Sequence, residues 1–358
     1  PHLKVYFQDM ESVTKIDEYT VKFHYSKVYF LGLSICGTLP LVPKHIVEKY
    51  EDFDASPFSR HPIGMGPYKF KEWKTNSRIV LVRNEDYWDK KPEIRVLQYT
   101  IISDPSIGLQ ILKKGDLDLY GMSAIQWAKQ TGSQKFNSQF YKLAYPSPGY
   151  YFIGWNNKGE IFKDKRVRRA MTHMLDRKSI VEKLNFRLGK VVTGNFFPYG
   201  KQYNKLVKPF EYNPKKARKI LADAGWSDSD GDGVLDKEGK NFEFQYMYPS
   251  ANKVSERIGT IYKEELEKVG IILNVYKMEW AAFLVRLNKR DFDSAILGWG
   301  SPFEGDPYQV WDKSQADVKG SSNFISFAND EASELIRNAR TEFNEVERNK
   351  MYWKFHEI

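Results

Sequence analysis

Between Phe242 and Trp299 the chain alternates strand and helix patterns without a break, and few arrangements satisfy that alternation. "FEFQYMY" from Phe242 reads as a strand. A helix over about 253–269 follows, with Val254, Ile258, Ile261, Tyr262, Leu266 and Val269 at helical spacing and Gly270 as its stop. "IILNVYKM" is a second strand, "WAAFLVRLNKRD" a second helix, and "FDSAILGW" a third strand. Such a βαβαβ run implies parallel strands joined by right-handed crossovers. Ligands of open α/β sheets sit beyond the carboxyl ends of the strands. That places Glu279–Trp280 and the loop "WGSPFEGDP" (Trp299–Pro307) beside a candidate pocket.

Upstream, "EYTVKFHY" (18–25) alternates as a half-buried strand, and 43–50 open a short helix behind Pro43. "GMGPYKF" is a turn feeding a strand, and "SRIVLVRN" and "IRVLQYTIIS" are further strands. A helix over 105–114 and a short strand "DLDLYGM" complete this half. The uncharged run Val28–Pro43 is too short for a membrane span, carries two Gly and two Pro, and reads as buried. A chain of 358 residues exceeds one ordinary core. The two prolines and the glycine in "YPSPGYYF" (145–152) mark the boundary, giving a partial first lobe over 1–148 and a second over 149–358. Beyond it, "DKRVRRAMTHMLDRKSIVEKL" reads as two helices, the first burying Val167, Ala170, Met171 and Met174, the second capped by Asp176.

Catalytic signals are scarce. Cys36 is the single cysteine, so neither a disulfide within the chain nor a thiolate metal cluster can form. Six histidines are scattered without zinc spacing, and GxSxG and GxxxxGK[ST] are absent. Two carboxylates such as Glu304 and Asp306 could in principle act as a glycosidase pair, a remote alternative. The net charge of +9 would suit nucleic acid, but the basic residues look spread among acids, and no nucleic-acid partner is expected. One cluster stands out: Lys163, Lys165, Arg166, Arg168 and Arg169, read first as a solvated helix face, with phosphate binding or docking as alternatives.

"DSDGDGVLDKEG" (228–239) begins like a calcium loop. Asp228, Asp230 and Asp232 stand at positions one, three and five, Gly233 at six, the Val234 carbonyl at seven and Asp236 at nine. Position twelve is Gly239 instead of Glu. The loop therefore reads either as a structural Ca²⁺ site or as a solvated Asp/Gly turn, and no cofactor is required.

The ordered motifs "LVPKHIVEKY", "PIGMGPYKFKEW", "LVRNEDYW", "ILKKGDLDLY", "KRVRRAMTHMLDRKSIVEKL", "YNPKKARKILADAGWSDSDGDGVLDKEGK" and "EWAAFLVRLNKRDFDSAILGW" resemble the family 5 extracytoplasmic solute-binding proteins, the peptide and nickel receptors of ABC importers. The resemblance covers nearly the whole chain. It implies a class II periplasmic-binding-protein-like α/β fold of two lobes with a hinge, here with the first lobe incomplete and a C-terminal tail missing. It also implies a non-enzymatic, monomeric receptor outside the cytoplasm that hands a small peptide or peptide-like solute to a membrane permease. Peptide-binding members resemble GW-x-x-D, where the acid meets the peptide ammonium; that position is Pro302 here. "WGSPFEGDP" is similar instead to the W-G-x-P-aromatic pattern of nickel-receptor-like members, so a nickel chelate is the alternative solute. The expected ligand residues are Trp299, Phe303, Glu304 and Asp306 from the loop, with Tyr150, Tyr151, Trp155 and Asn156 near the hinge, and Trp280 as a weaker addition.

Overall fold

The computed structural model describes residues 5–53 and 56–358. Two compact units emerge: one joins the residues up to Cys36 with Leu143–Ile358, the other spans Gly37–Lys142. Residues 5–36 thus group with the stretch after 142, where the sequence pattern puts them with 37–142. Long-range bonds cause this. The Tyr29 hydroxyl donates to Asp306 Oδ2 at 3.0 Å, and the Tyr6 hydroxyl donates to Gln309 Oε1 at 3.1 Å.

Strands β1 (Met10–Lys15) and β2 (Val21–Tyr25) form an antiparallel pair. Within Val28–Pro43 the expected burial holds at Tyr29, and Phe30 packs against the Tyr352 ring. Helix α1 (Gly32–Gly37) buries none of its residues, and Leu33 and Leu41 stand exposed. A short run that is apolar on every side presents no single face to a core.

In the second unit, the short α2 (Lys44–Val47) precedes an antiparallel sheet of β3 (Tyr68–Lys74), β4 (Arg78–Arg83) and β5 (Val96–Thr100). Helix α3 (Pro105–Lys114) starts where the Asp104 carboxylate accepts the Ser106 amide and ends at left-handed Gly115. With α4 (Ala124–Lys129) and α5 (Gln134–Gln139) it encloses Leu109, Leu112 and Phe136. Residues 116–122, expected as a strand, are irregular. Tyr120 folds back instead, its hydroxyl donating to the Pro105 carbonyl at 2.8 Å.

The first unit is built on β6 (Gly149–Trp155), with α6 (Lys165–His173), α7 (Arg177–Lys183) and α8 (Pro214–Asp223) following it. After the two-residue strands β7 (Asp236–Lys237) and β8 (Lys240–Asn241) comes the alternating stretch. It comprises β9 (Glu243–Pro249), α9 (Lys253–Glu267), β10 (Ile272–Met278), α10 (Trp280–Lys289) and β11 (Ser294–Gly300). The sheet order is β10-β9-β11-β6, with β9 parallel to both neighbours and β6 antiparallel at the edge. Both faces are covered, as parallel strands require. Phe244, Tyr246 and Tyr262 lie in one core and Met247, Phe283 and Leu297 in the other. Gly270 ends α9 at φ +78, where a Cβ would lie 2.6 Å from the Gly233 carbonyl oxygen, so only glycine fits. The chain closes through α11 (Tyr308–Trp311), α12 (Asp330–Thr341) and α13 (Glu345–Glu357), which pack around Phe196, Ile336 and Tyr352.

His356, in the last turn of α13, is buried beside the 193–204 segment. Its Nδ1 accepts the Asn204 amide at 3.1 Å, and Nε2 lies 2.8 Å from Thr193 Oγ1. A proton on Nδ1 would face a donor. Burial holds the imidazole below its ordinary value of 6.5, against the pull of the Glu357 charge. The unfolded chain therefore binds the proton more readily, and stability is lost as pH falls below about 6.5. Urea midpoints taken from pH 7.5 downwards should fall through this window, with a shallower slope in His356→Gln; equal slopes would show that His356 does not titrate on unfolding.

Candidate functional site

Strands β9, β10 and β11 run parallel, so Pro249, Met278 and Gly300 end at one edge of the sheet. The antiparallel β6 begins there, with Gly149 opposite Gly300 and Tyr150 opposite Trp299. The expected loop and the expected β6 aromatics therefore meet at the carboxyl edge, where α/β sheets receive ligands. Ser250 stands at this edge too, its hydroxyl donating to Glu279 Oε1 at 2.8 Å. Trp280 opens α10, stacked on Phe283 and mostly exposed.

The aromatic groups differ in what they offer. Trp299 stacks on Phe324 with ring planes 13° apart. Phe303 is 69% exposed and touches Phe197 edge to face. Tyr151 is 77% exposed, and its ring lies across Gly298, where a Cβ would come within 2.7 Å of it. Tyr150 points to the other face and stacks on Phe152, with burial pushing its hydroxyl well above the ordinary tyrosine range.

The loop is held by a segment that the sequence gives no reason to connect with it. The Gln202 side chain takes both backbone groups of Gly305: its Oε1 accepts the amide at 2.8 Å, and its Nε2 donates to the carbonyl at 2.9 Å. The Ser301 hydroxyl donates to the Asn195 carbonyl at 2.6 Å. Nothing in the local pattern of either segment announces this clamp.

The two loop acids are not free. Asp306 is turned inward, its side chain 1% exposed. Arg340 Nε lies 2.9 Å away, and the Tyr29 hydroxyl and Tyr308 amide each donate to it at 3.0 Å. Burial pushes this carboxyl up, and the Arg340 charge, the Tyr308 amide and the Tyr29 hydroxyl oppose that. Glu304 pairs with the Arg348 guanidinium, itself lying over the Phe30 ring. Both carboxylates thus serve arginines. Asp306 is buried with its arginine and Glu304 is half exposed beside its own, so the two do not stand as a free carboxylate pair of the kind a glycoside hydrolase uses.

Two expected residues lie in the scaffold. Trp155 stacks on Phe162 and meets Phe244 and Tyr262 inside the core. Asn156 donates from Nδ2 to the carbonyls of Arg290 and Phe292, both at 3.0 Å, and so braces the turn before β11. Each sits at the end of β6 opposite the candidate edge.

The Asp/Gly loop brings Asp228, Asp230 and Asp236 together. Most of its oxygens serve the loop itself. Asp228 accepts the amides of Gly231 and Gly233, Asp232 accepts that of Val234, and Asp236 accepts the amide and hydroxyl of Ser229. Asp232 is outside the converging group, and the Leu235 amide next to Val234 goes to the Gly270 carbonyl at 2.7 Å.

Comparison with known proteins adds four findings. The model of the bacterial extracellular solute-binding proteins, family 5, matches residues 1–320. The oligopeptide-binding protein AppA of Bacillus subtilis is 35% identical over 356 residues, covering 97% of this chain and 64% of that protein. Its structure in complex with a nonapeptide superposes with a TM-score of 0.85 at 34% identity, over 98% of this chain and 70% of the other. NikZ from Campylobacter jejuni, in complex with Ni(L-His), gives the same TM-score at 28% identity, over 99% and 71%. The expected α/β periplasmic-binding-protein fold is borne out.

Proposed function

The chain belongs to the bacterial extracellular solute-binding proteins of family 5, and from that premise we propose that it captures a peptide at the carboxyl edge of its four-stranded sheet for delivery to an ABC permease. The chain spans 64% of the length of its Bacillus subtilis relative, so the proposal concerns the complete protein. It rests on one observation: Trp299 on β11, Tyr151 on β6, Phe303 on the clamped loop and Trp280 at the start of α10 all lie along the carboxyl edge of the sheet, with Phe303 and Tyr151 largely exposed. Aromatic walls supply contact area at little entropic cost, and backbone groups at strand ends bond a peptide whatever its side chains. Catalysis forms no part of this reading, because capture and release need only reversible contacts. The receptor works outside the cytoplasm as a monomer, with the permease rather than a nucleic acid as its partner. The lobe division at 148/149 is proposed for the complete protein as well. Calcium held by the Asp228–Asp236 turn would serve the fold and not the ligand.

A second reading is favoured by the loop itself. With Pro302 in the place of the acid and both neighbouring carboxylates paired to arginine, no free acid on this loop awaits an ammonium. A nickel chelate, the ligand class in the Campylobacter jejuni structure, needs none. Native mass spectrometry of the complete protein as purified separates the two. A family of co-purifying peptide masses supports peptide capture; a single metal-chelate mass overturns it in favour of the second reading.

A further inference from the structure

The net charge of +9 is not spread along the chain as it first reads. Residues 163–219 hold 17 Lys and Arg against 4 Asp and Glu, while the other 301 residues hold 38 against 42. The whole positive excess lies in one stretch. The fold then gathers it. Helices α6 and α8 lie side by side and antiparallel, with Arg166 Nη1 donating to the Asp223 carbonyl at one end and the Asn213 amide to the His173 carbonyl at the other, both at 2.9 Å. Their inner faces, Val167, Ala170, Met171, Ala217 and Leu221, go to the core. That leaves Lys165, Arg169, Lys215, Lys216 and Lys219 exposed. Among the described residues only Arg166 and Lys201 of the 17 reach a carboxylate within ion-pair distance. The acids in the stretch are mostly engaged: Asp164 and Asp176 cap α6 and α7, and Glu211 takes the Asn213 side chain at 3.2 Å. Crowded like charges repel one another, so this face suits an anionic partner.

A second observation says which kind. The 205–212 segment reaches the same corner at its Phe210–Glu211 end, since the Arg177 guanidinium donates to the Phe210 carbonyl and His173 Nδ1 lies 2.7 Å from that of Glu211. Within it Leu206 is 81% exposed and Phe210 48%, interleaved with the exposed Lys205 and Lys208. A polyanion would engage the lysines and leave these apolar side chains in water. The headgroup region of a bilayer takes both classes at once: lysines against phosphates, apolar side chains at the acyl boundary. No helix among the described residues is long and apolar enough to cross a membrane.

We propose that the α6–α8 face, with Leu206 and Phe210 at its rim, docks the protein directly on an anionic membrane surface. This goes beyond solute capture and is independent of which solute is held. The test is flotation of the full chain with vesicles of phosphatidylcholine alone and of phosphatidylcholine with phosphatidylglycerol, at low and high salt, beside retention on heparin. The expected result is binding to the anionic vesicles only, weakened about tenfold or more by combined Lys215→Glu, Lys216→Glu and Lys219→Glu. Leu206→Ser should weaken vesicle binding while leaving heparin retention unchanged. A folded control carrying Lys15→Glu, Lys22→Glu and Lys114→Glu should bind as the parent does. No flotation, or equal loss in the control, overturns the proposal. Vesicle binding untouched by Leu206→Ser, with heparin retention lost in the α8 triple variant, also overturns it and assigns the face to a nucleic acid or another polyanion.

Discussion

Replacing Asp306 with alanine should destabilise the protein by about 3–5 kcal/mol, the cost of leaving one partner of a buried ion pair alone. Arg340 would keep its charge between the rings of Tyr29 and Tyr308, 4.8 and 4.2 Å from their centroids, with no carboxylate to answer it. The Tyr29 hydroxyl and the Tyr308 amide would lose their acceptor at the same time. Glu304→Ala makes the contrast. That carboxylate is 47% exposed, and Arg348 still donates to the carbonyls of Glu342 and Phe343. Its loss should cost about 1 kcal/mol or less. Urea unfolding of the two variants reads the difference; equal destabilisation would mean the Asp306 pair is no more costly to break than the half-buried Glu304–Arg348 bridge. The contrast matters for ligand work, because failure to bind in Asp306→Ala would report a damaged fold and not a lost contact.

An effect of similar size is expected at Phe244. The ring is 1% exposed and packs edge to face against Phe162 at 5.0 Å and against Trp155 at 6.3 Å. It stands on β9, the strand paired to both parallel neighbours, so α9 and the β6 aromatics meet over it. Phe244→Ala should cost about 3–5 kcal/mol, transfer and cavity together. A denaturant midpoint lowered with an unchanged slope is the expected record. A loss below about 1 kcal/mol would mean that the core collapses into the space.

What was legible in the sequence follows from what is local. The helical spacing over 253–269, the Gly270 stop and the Asp176 cap need only neighbours a few residues away, and all three appear. Parallel pairing of β9 with β10 and β11 followed from the crossovers. Asp306 looked like any acid in a Gly/Pro loop, because its partner Arg340 lies on a helix further along and Tyr29 lies 277 residues before it. The same blindness hid the Gln202 clamp on Gly305. Trp155 and Asn156 share a strand with Tyr150 and Tyr151, yet their end of β6 is walled by Phe162 and the Arg290–Phe292 carbonyls. Proximity in sequence could not separate the two ends. Lys163–Arg169 alone gives no sign of the basic face, because α8 supplies its other half from Pro214–Asp223, further along the chain.

The bonds that tie Tyr29 and Phe30 to the far end of the chain also set a schedule for its birth. Phe30 finds the Tyr352 ring and the Arg348 guanidinium only when more than three hundred further residues have been made. At roughly 5–20 residues per second this is a delay on the order of 15–60 s. The contacts inside the contiguous Gly37–Lys142 unit join residues that have all been made long before then. During synthesis the stretch around Tyr29 and Phe30 should therefore wait without its partners while the residues after it fold, and its apolar run would need protection over that interval.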